Sequence, residues 1–366
     1  MNNFDTIVIG GGLIGASVAY GLSRSGQRVA MFDEGDNAIR AARGNFGLIW
    51  VQGKGVNSPA YAAWTRKSAQ QWPDFSKELT ELTGIDLAFE QNGGFDFCLN
   101  NDEYTSRQAL MEKMAADSSG EFSFEMLNNH ELKKILPEVG PSVTGASFSK
   151  LDGHINPLLL LKALHKAFKQ LGGMVLSEAV VDLNYADKTF KVNTNSQTHE
   201  SGKVVLAAGF SNKTLAPKVG LSVPVYPQRG EILVTEKIKP FLRHPTGLVR
   251  QTHEGGLMLG DSHEDVGFDE GTNMNEIQQI AKRAIAIFPC LENVKMIRAW
   301  GSLRVLTKDG LPIYDHSNSC PGAYAFSSHS GVTLSTVHAL DIASCIARDD
   351  LLPSSLTCFS AKRFDV

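Results

Sequence analysis

The chain has 366 residues, enough for two domains, and its 42% hydrophobic and 20% charged content is typical of a globular protein. A net charge of -4 excludes strong electrostatic attraction to nucleic acid or to an anionic membrane. No apolar run reaches the ~18 residues of a transmembrane segment, the N-terminus has no secretory pattern, and the five cysteines form no C-x-x-C pair. We therefore expect a cytoplasmic protein with free thiols and no iron–sulfur cluster of its own.

Residues 4–15 predict a strand, a glycine turn and the start of a helix. Residues 7–9 form a β-branched apolar run that is typical of a buried strand. Gly10, Gly12 and Gly15 follow with the spacing G-x-G-x-x-G. In this spacing one glycine makes a tight turn, one lets the backbone approach a pyrophosphate, and one packs the helix on the strand. The N-terminus of the helix then favours the phosphates.

A second predicted strand, Val29 to Phe32, ends in two acidic residues. They lie close to the ~20-residue distance at which a carboxylate binds the ribose hydroxyls of a dinucleotide. Asp33 follows the strand directly and is the preferred candidate, and Glu34 is the second. The alternative is a surface turn with two solvated acids. Together with the glycines, this acid predicts a dinucleotide site.

The glycine-rich segment 38–55 is too apolar for a solvent loop and too rich in glycine for a regular strand. It indicates backbone lying against a flat ligand, or alternatively a buried irregular connection. Further along the chain, periodicity predicts helices over 59–83, 102–116, 157–171, 275–288 and 333–347. It predicts strands over 94–99, 122–127, 174–176, 180–183, 190–193, 203–209, 232–235, 247–251, 257–260, 294–303 and 323–327.

Five motifs in this order resemble the D-amino-acid-oxidase-like (DAO) family of FAD-dependent oxidoreductases. They are IVIGGGLIG with Asp33, VVLAAG at 204–209, PVYPQRGEI at 224–232, WGSLRVLTKDGLPI at 300–313, and AFSSHSGVTL at 325–334. Within the family, the chain is most similar to glycine oxidases, hydrogen cyanide synthase flavoprotein subunits, and the flavin subunits of opine and D-hydroxyproline dehydrogenases. The resemblance implies an α/β fold: a discontinuous Rossmann-type FAD-binding domain with a second α+β substrate domain built on a mainly antiparallel sheet.

The resemblance also implies which residues form each domain and which bind FAD. The FAD-binding domain would comprise residues 1–88, 146–220 and 304–366, and the substrate domain residues 89–145 and 221–303. The implied FAD-binding residues are Gly10, Gly12, Leu13, Ile14, Gly15, Asp33, Glu34, Arg43, Gly44, Asn45, Gly47, Leu48, Val180, Ala208, Gly209, Ser330, Gly331, Val332, Thr333 and Leu334. A helix opening near residues 331–333 would direct N–H groups at the edge of the flavin where negative charge develops. The alternative is an ordinary helix start with Ser330 as its cap.

Two residues are predicted to be catalytic. By the resemblance, Arg304 grips the carboxylate of the substrate, because a planar guanidinium makes two parallel bonds to a carboxylate. The alternative for Arg304 is a structural ion pair with Asp309. His329 either donates to the flavin carbonyl, tunes the substrate amine, or is structural. Glycine oxidases carry an arginine at the position of Gly331, so simple transfer of their substrate specificity is not expected.

These features predict an FAD-dependent enzyme that oxidises a small amino acid, N-substituted, cyclic or D-configured, to an imine. The electron acceptor is either oxygen or a partner redox subunit, and an oligomer is compatible with the sequence. No metal site is predicted. A 2-hydroxy-acid dehydrogenase is one alternative, because a carboxylate clamp serves either substrate. A non-catalytic flavoprotein subunit of a larger complex is the other.

Overall fold

Four β-sheets and the helices packed on them make up the fold. The computed structural model describes residues 3–35 and 41–365, without the side chain of Asn3. Residues 38–40 of the predicted glycine-rich segment therefore lie outside the described part. Within these ranges the sheets have eight, four, three and two strands. None of the helices in the described ranges is both long enough and apolar enough to cross a bilayer.

The eight-stranded sheet has a parallel centre. Its strands are β1 (Asn3–Ile9), β2 (Val29–Phe32), β8 (Met174–Leu176), β9 (Val180–Ala186), β10 (Thr189–Thr194), β11 (Thr198–Leu206), β16 (Ile313–His316) and β17 (Ala323–Ser327). β1 lies between β11 and β2, parallel to both. Alternate residues of β1 enter different cores, since Ile7 and Ile9 pack on one face and Val8 on the other. Burial on both faces explains the continuous apolar runs that predict these strands.

Helices cover one face of this sheet. α1 (Leu13–Arg24) follows β1 and packs beside α5 (Pro157–Gln170), and α2 (Pro59–Thr83) lies against both α5 and the C-terminal helical segment. The bounds of α2 agree with the prediction. Pro59 occupies its first turn, where its missing N–H leaves no intrahelical bond unmade. Gly84 ends the helix in the left-handed conformation at φ 68°.

The other sheets are antiparallel. The four-stranded sheet contains β12 (Tyr226–Lys237), β13 (Val249–Gln251), β14 (Gly256–Leu259) and β15 (Met296–Leu306). The three-stranded sheet contains β4 (Gly94–Cys98), β5 (Glu125–Asn128) and β6 (Gly145–Ser149), and the two-stranded sheet pairs β3 (Leu48–Ile49) with β7 (Gly153–His154). The remaining helices are α3 (Asn101–Ala116), α4 (Asn129–Ile135), α6 (Asn212–Leu215) and α7 (Met274–Ile287). One apolar core joins the four-stranded and three-stranded sheets to α4 and α7.

The structure corrects the prediction of one helix over residues 333–347. Regular α-helix begins at Ser335, and a π-helical turn at His338–Ile342 separates it from Ala343–Ala347. The late start has a local cause, because the carbonyl oxygen of Thr333 is bonded to α2 and not within its own helix. It accepts from the Ser68 hydroxyl at 2.6 Å and from the Trp72 indole N–H at 3.1 Å.

The two-domain division stays a proposal, and the fold bears on two of its boundaries. The boundary between residues 145 and 146 lies inside β6, and the boundary between 303 and 304 lies inside β15. Both strands pair along their length with antiparallel neighbours. We therefore propose that a practical boundary follows the ends of these strands.

Candidate active site

The glycines after β1 are glycine for different structural reasons. Gly10 has φ +105°, and a Cβ there would lie 2.3 Å from the carbonyl oxygen of Ala207. A Cβ on Gly15 would lie 1.8 Å from the carbonyl oxygen of Gly10. The folded chain itself therefore requires both glycines. Gly12 is different, because the nearest atom to a Cβ there is the Cβ of Ala42, at 4.0 Å. Its missing side chain leaves backbone open to a ligand.

The N-terminus of α1 carries exposed hydrogen-bond donors. Gly12 is the N-cap and supplies no side-chain cap. Within the described chain, the amides of residues 12–14 have no acceptor. The first N–H groups of any helix lack intrahelical partners, and they favour an anion. Leu13 is buried in the core and Ile14 is partly buried, and both line the adjoining cavity.

The acid after β2 is held in a fixed position. One carboxylate oxygen of Asp33 accepts the Gly11 amide at 2.8 Å, and the other accepts the Gly35 amide at 3.0 Å. A carboxylate accepts from several donors at once, since its two oxygens carry about four acceptor sites. Glu34 is exposed. The geometry therefore favours Asp33 over Glu34 as the ribose ligand.

Two cavities adjoin at this end of the sheet. The glycine-turn cavity, bounded by Gly10, Gly12 and Asp33, has a volume of about 430 Å³. The arginine cavity, bounded by Arg304 and the inner face of β12, has a volume of about 460 Å³. Residues common to both walls are Ala41, Asn45, Val305, Ser328 and His329. A long ligand can therefore extend from one cavity into the other.

The structure brings most of the predicted FAD-binding residues to these walls. Those on the glycine-turn cavity are Gly10, Gly12, Leu13, Ile14, Asp33, Glu34, Asn45, Val180, Ala208, Gly209 and Gly331. Those on the arginine cavity are Gly44, Asn45, Leu48, Ser330, Val332 and Thr333.

Four predicted FAD-binding residues line neither cavity. Gly15 and Gly47 are packing glycines, and a Cβ on Gly47 would lie 2.4 Å from the carbonyl oxygen of Ile155. Leu334 is completely buried in the core. Arg43 is exposed on the outer side, beside α5. Their placement favours a supporting role over direct contact with a cofactor.

The turn after β17 presents three backbone donors. In the described residues, the amides of Gly331, Val332 and Thr333 have no acceptor, and these residues line the two cavities. Ser330 does not cap the helix with its side chain, because its hydroxyl accepts a hydrogen bond from the Tyr61 hydroxyl at 2.9 Å. A row of free amides facing a cavity stabilises negative charge on a ligand.

Arg304 lies flat on β12. In the pairing of β12 with β15, Arg304 is opposite Gln228, and its guanidinium covers Gly230, where a Cβ would lie 2.4 Å from Nη2. Nη1 donates to the carbonyl oxygen of Ser262 at 2.6 Å and to that of Arg229 at 3.2 Å. Nε and Nη2 make no hydrogen bond to any described residue. One edge of the guanidinium therefore remains available to a ligand.

The alternative prediction, an ion pair between Arg304 and Asp309, is wrong. Asp309 pairs instead with Arg363, at 2.7 Å between the carboxylate and Nε. Within residues 3–35 and 41–365, no carboxylate lies within ion-pair distance of Arg304. Burial lowers the pKa of Arg304, and the negative charge of Asp261 partly opposes that effect. An arginine pKa starts so high that the group stays charged.

Other ionisable groups face Arg304 across the arginine cavity. They include His329, His263, Asp261 and Lys54. The His329 side chain is exposed where it borders the two cavities, and the surrounding walls replace part of its solvent. Burial therefore lowers its pKa well below the ordinary value, and the nearby charges of Lys54 and Arg304 lower it further. His329 is neutral at pH 7.

The loop that follows β14 is fastened to β12. Arg229 is 4% exposed, and it pairs with Glu264 at 2.8 Å and with Asp269 at 2.7 Å. Glu231 accepts the amide of Asn273 at 2.5 Å. The loop between residues 261 and 273 is therefore held on β12. Its residues Asp261 and His263 line the arginine cavity, and it carries the Ser262 carbonyl that orients Arg304.

Comparison with known proteins agrees with this geometry. Residues 5–344 match the family described as FAD dependent oxidoreductase (DAO). This chain belongs to that family. The FAD-dependent oxidoreductase is 41% identical over 367 residues to an opine oxidase subunit of Rhizobium meliloti, covering 100% of this chain and 99% of that protein. It is 27% identical over 314 residues to glycine oxidase of Bacillus licheniformis, covering 84% of this chain and 83% of that protein.

The fold of the FAD-dependent oxidoreductase is also that of a solved structure. The crystal structure of glycine oxidase from Geobacillus kaustophilus superposes with a TM-score of 0.90 at 23% identity, covering 99% of each chain. The predicted fold class and the predicted cofactor are thereby confirmed.

The cavities of this FAD-dependent oxidoreductase fit FAD. The open backbone at Gly12 and the free amides of residues 12–14 suit a pyrophosphate. Asp33 suits the ribose, and the amides of residues 331–333 suit an electron-rich ring edge. We propose these groups as the residues that hold the cofactor.

Sequence reasoning missed every charged residue of the arginine cavity except Arg304; those missed are Lys54, Asp96, Glu231, Asp261 and Arg283. Lys54 is the single lysine of the apolar, glycine-rich segment 44–56, which is the signal that could have found it. Asp261 has φ +85°, uncommon for a residue with a side chain. Trp50 and His263 also line this cavity.

Proposed function

We propose that this FAD-dependent oxidoreductase oxidises the C–N bond of a small N-substituted amino acid, producing an imine that water hydrolyses. The observation that carries the proposal is the free edge of the Arg304 guanidinium, which faces a cavity continuous with the glycine-turn cavity. A guanidinium edge matches the two oxygens of a carboxylate. The likeness to an opine oxidase subunit supports an N-substituted substrate over a cyclic or D-configured one.

The residues of the chain bind and orient the substrate. Arg304 holds the carboxylate through Nε and Nη2, while its bonds to Ser262 and Arg229 fix the plane of the guanidinium. A substrate held in this way presents its α C–H in one orientation, which is a large part of the catalytic effect. Neutral His329 adds no charge beside the substrate nitrogen. We propose that the amine is oxidised in its unprotonated form, because only that form has a nitrogen lone pair that can stabilise the carbon losing hydride.

The amides of residues 331–333 provide the electrostatic part of the mechanism. When bound, FAD supplies the acceptor for the hydride that leaves the α-carbon. The three free amides line the cavity and would stabilise negative charge on the ring edge of the bound cofactor. They are fixed in the backbone before the reaction and need no reorganisation. We name no protein base, because an unprotonated amine needs none.

The electron acceptor is proposed to be a partner redox subunit. The support is the relative that is 41% identical to this chain, because that protein is one subunit of an oxidase. Oxygen is the competing acceptor. Flavin reduced by substrate without oxygen, and then exposed to air, distinguishes the two: slow return of the flavin colour supports a partner, and rapid return supports oxygen.

Anaerobic bleaching of the bound flavin by matched substrates tests the reaction. N-substituted amino acids should bleach it, and the corresponding 2-hydroxy acids should not. Bleaching by the hydroxy acids alone would instead identify a 2-hydroxy-acid dehydrogenase. A loaded protein that no compound of either class bleaches would be a non-catalytic flavoprotein.

Substitution of Arg304 tests the carboxylate clamp. Arg304→Ala should lower kcat/KM by about 100-fold or more, since each hydrogen bond to a charged group contributes about 1.5–3 kcal/mol. Arg304→Lys should recover part of the loss. Arg298→Ala is the matched control, because Arg298 is exposed on the same strand and lines neither cavity. An Arg304→Ala enzyme with unchanged kcat/KM and normal FAD content would remove the assignment.

A further inference from the structure

Lys54 is a cation in the arginine cavity that the proposed mechanism does not use. It is partly buried and lines the same cavity as Arg304. In the described part of the chain, no acceptor lies within hydrogen-bond or ion-pair distance of its Nζ. Most lysines are either solvated or paired when enclosed. An enclosed lysine without an ion pair therefore calls for an anion from outside the chain.

The turn that carries Lys54 is held in place from below. Gly53 and Gly55 flank it with φ +80° and φ +73°. Gln52 is buried, and its amide donates to Asp152 at 2.6 Å, while the same carboxylate accepts the Val51 amide at 2.6 Å. A side chain on such an anchored turn approaches a ligand with little loss of backbone freedom.

The charges that surround Lys54 favour an anion beside it. Burial and, to a smaller extent, the charge of Arg304 together lower the pKa of Lys54 to about 8, against the opposing charge of Asp261. The ammonium is therefore charged at pH 7. Asp261 acts on Lys54 only from beyond ion-pair distance, and its carboxylate is bonded instead to His263 at 3.0 Å. Arg304 is the cation that acts on Lys54, and it repels it. An anionic group on a ligand beside each of them offsets that repulsion.

We infer that Lys54 binds a second acidic group of the substrate while Arg304 binds the first, so that the substrate is a dicarboxylate whose acidic groups flank the oxidised nitrogen. This inference rests on the proposed function, which assigns the first carboxylate to Arg304. The cavity volume of about 460 Å³ is within the usual range for sites that enclose a small molecule. A simple glycine-like substrate leaves Lys54 without an anion.

Two matched ligands that resist amine oxidation test the inference. Thiodiacetate has a sulfur atom between two carboxymethyl groups, and methylthioacetate has the same sulfur with one. Calorimetric titration of the FAD-loaded protein gives the affinity for each without turnover. The wild-type protein should bind the dicarboxylate about 10- to 100-fold more tightly, the difference that one further charged hydrogen bond provides.

Variants of Lys54 should separate the two ligands. Lys54→Met should remove the preference for the dicarboxylate and leave the affinity for the monocarboxylate within about twofold, because only the second acidic group contacts this residue. Lys54→Arg should keep most of the preference. Lys150→Met is the matched control, since Lys150 is exposed and lines neither cavity. Thermal unfolding of each loaded variant checks that the fold is intact.

The outcomes distinguish this inference from the proposed function. If Lys54→Met binds both ligands as the wild type does, or weakens both equally, the inference is wrong and the role of Arg304 stands. If Arg304→Ala also leaves the affinity for methylthioacetate unchanged, or if the wild-type protein binds neither ligand, both the inference and the proposed function are wrong.

Discussion

Replacing Gly230 with alanine should displace the Arg304 guanidinium without touching it chemically. A Cβ at residue 230 would lie 2.4 Å from Nη2 and 2.5 Å from both Cζ and Nη1 of Arg304. Ordinary contacts between such atoms are about 3.5 Å, so the guanidinium has to move by about 1 Å. That shift breaks the alignment of its 2.6 Å bond to Ser262. A misplacement of about 1 Å costs about 100-fold in rate.

Stopped-flow reduction of the flavin measures this effect. We expect Gly230→Ala to lower kcat/KM by about 100-fold with FAD content unchanged, and overpacking to destabilise the fold by about 1–3 kcal/mol. Gly256→Ala is the matched control, because it also replaces a strand glycine and its Cβ would meet only ordinary contacts, the nearest at 3.5 Å.

A double variant makes the reasoning refutable. If the clash acts only through the guanidinium, then Gly230→Ala should cause no further loss in an Arg304→Ala background, because neighbouring residues that act through one contact are not additive. Equal losses of kcat/KM in the two backgrounds would show that Gly230 acts in another way. An unchanged kcat/KM in the single variant would refute the position of the guanidinium.

Three further predictions follow from the two cavities. Gly12→Ala should weaken FAD binding by about tenfold or more in a fluorescence titration. It should leave the melting temperature of the apoprotein unchanged, since the protein atom nearest to the new Cβ lies 4.0 Å away. Gly10→Ala, at φ +105°, should lower the melting temperature itself. Asp33→Ala should weaken FAD binding far more than Glu34→Ala, because only the Asp33 carboxylate is held by backbone amides, and equal losses in that titration would contradict this assignment. Lys54→Met should melt at a higher temperature than the wild-type apoprotein at pH 7, because burying the charged lysine destabilises the folded wild type fully below a pH of about 8. The difference in melting temperature should narrow as the pH rises from about 8 towards 10.5, since the destabilisation disappears above the pKa of the unfolded chain. A difference in melting temperature that does not depend on pH would show that Lys54 is not enclosed.

Local sequence signals predict much of the fold. The buried runs around Val8 and Val205 predict the parallel centre, and Pro59 with Gly84 predicts both ends of α2, because proline and glycine act at the residue where they stand. The strands β6 and β16 were not predicted. Gly145–Ser149 lacks the β-branched alternation of a strand, and its pairing with β4 and β5 is made by distant parts of the chain.

The residues of the candidate site also divide into those that a local motif predicts and those that depend on contacts between distant segments. The glycine turn and Arg304 follow from motifs, but the partner of Asp309 does not, because Arg363 reaches it from the C-terminal end of the chain. Lys54 stands out in the sequence as the single lysine of its segment, but that pattern does not show that it enters the cavity. Its entry into the cavity depends on Asp152 holding the turn from beneath, and no local pattern records a contact between segments so far apart.

The ion pairs of Arg229 have a consequence for substrate selection. The Arg229 and Glu264 side chains are 5% and 10% exposed, so dissolved salt screens their attraction weakly. The wall they fasten is therefore present before any substrate arrives, and raising the ionic strength does not release it. A wall that is formed in advance on this side of the cavity selects among substrates by their shape and charge as they enter.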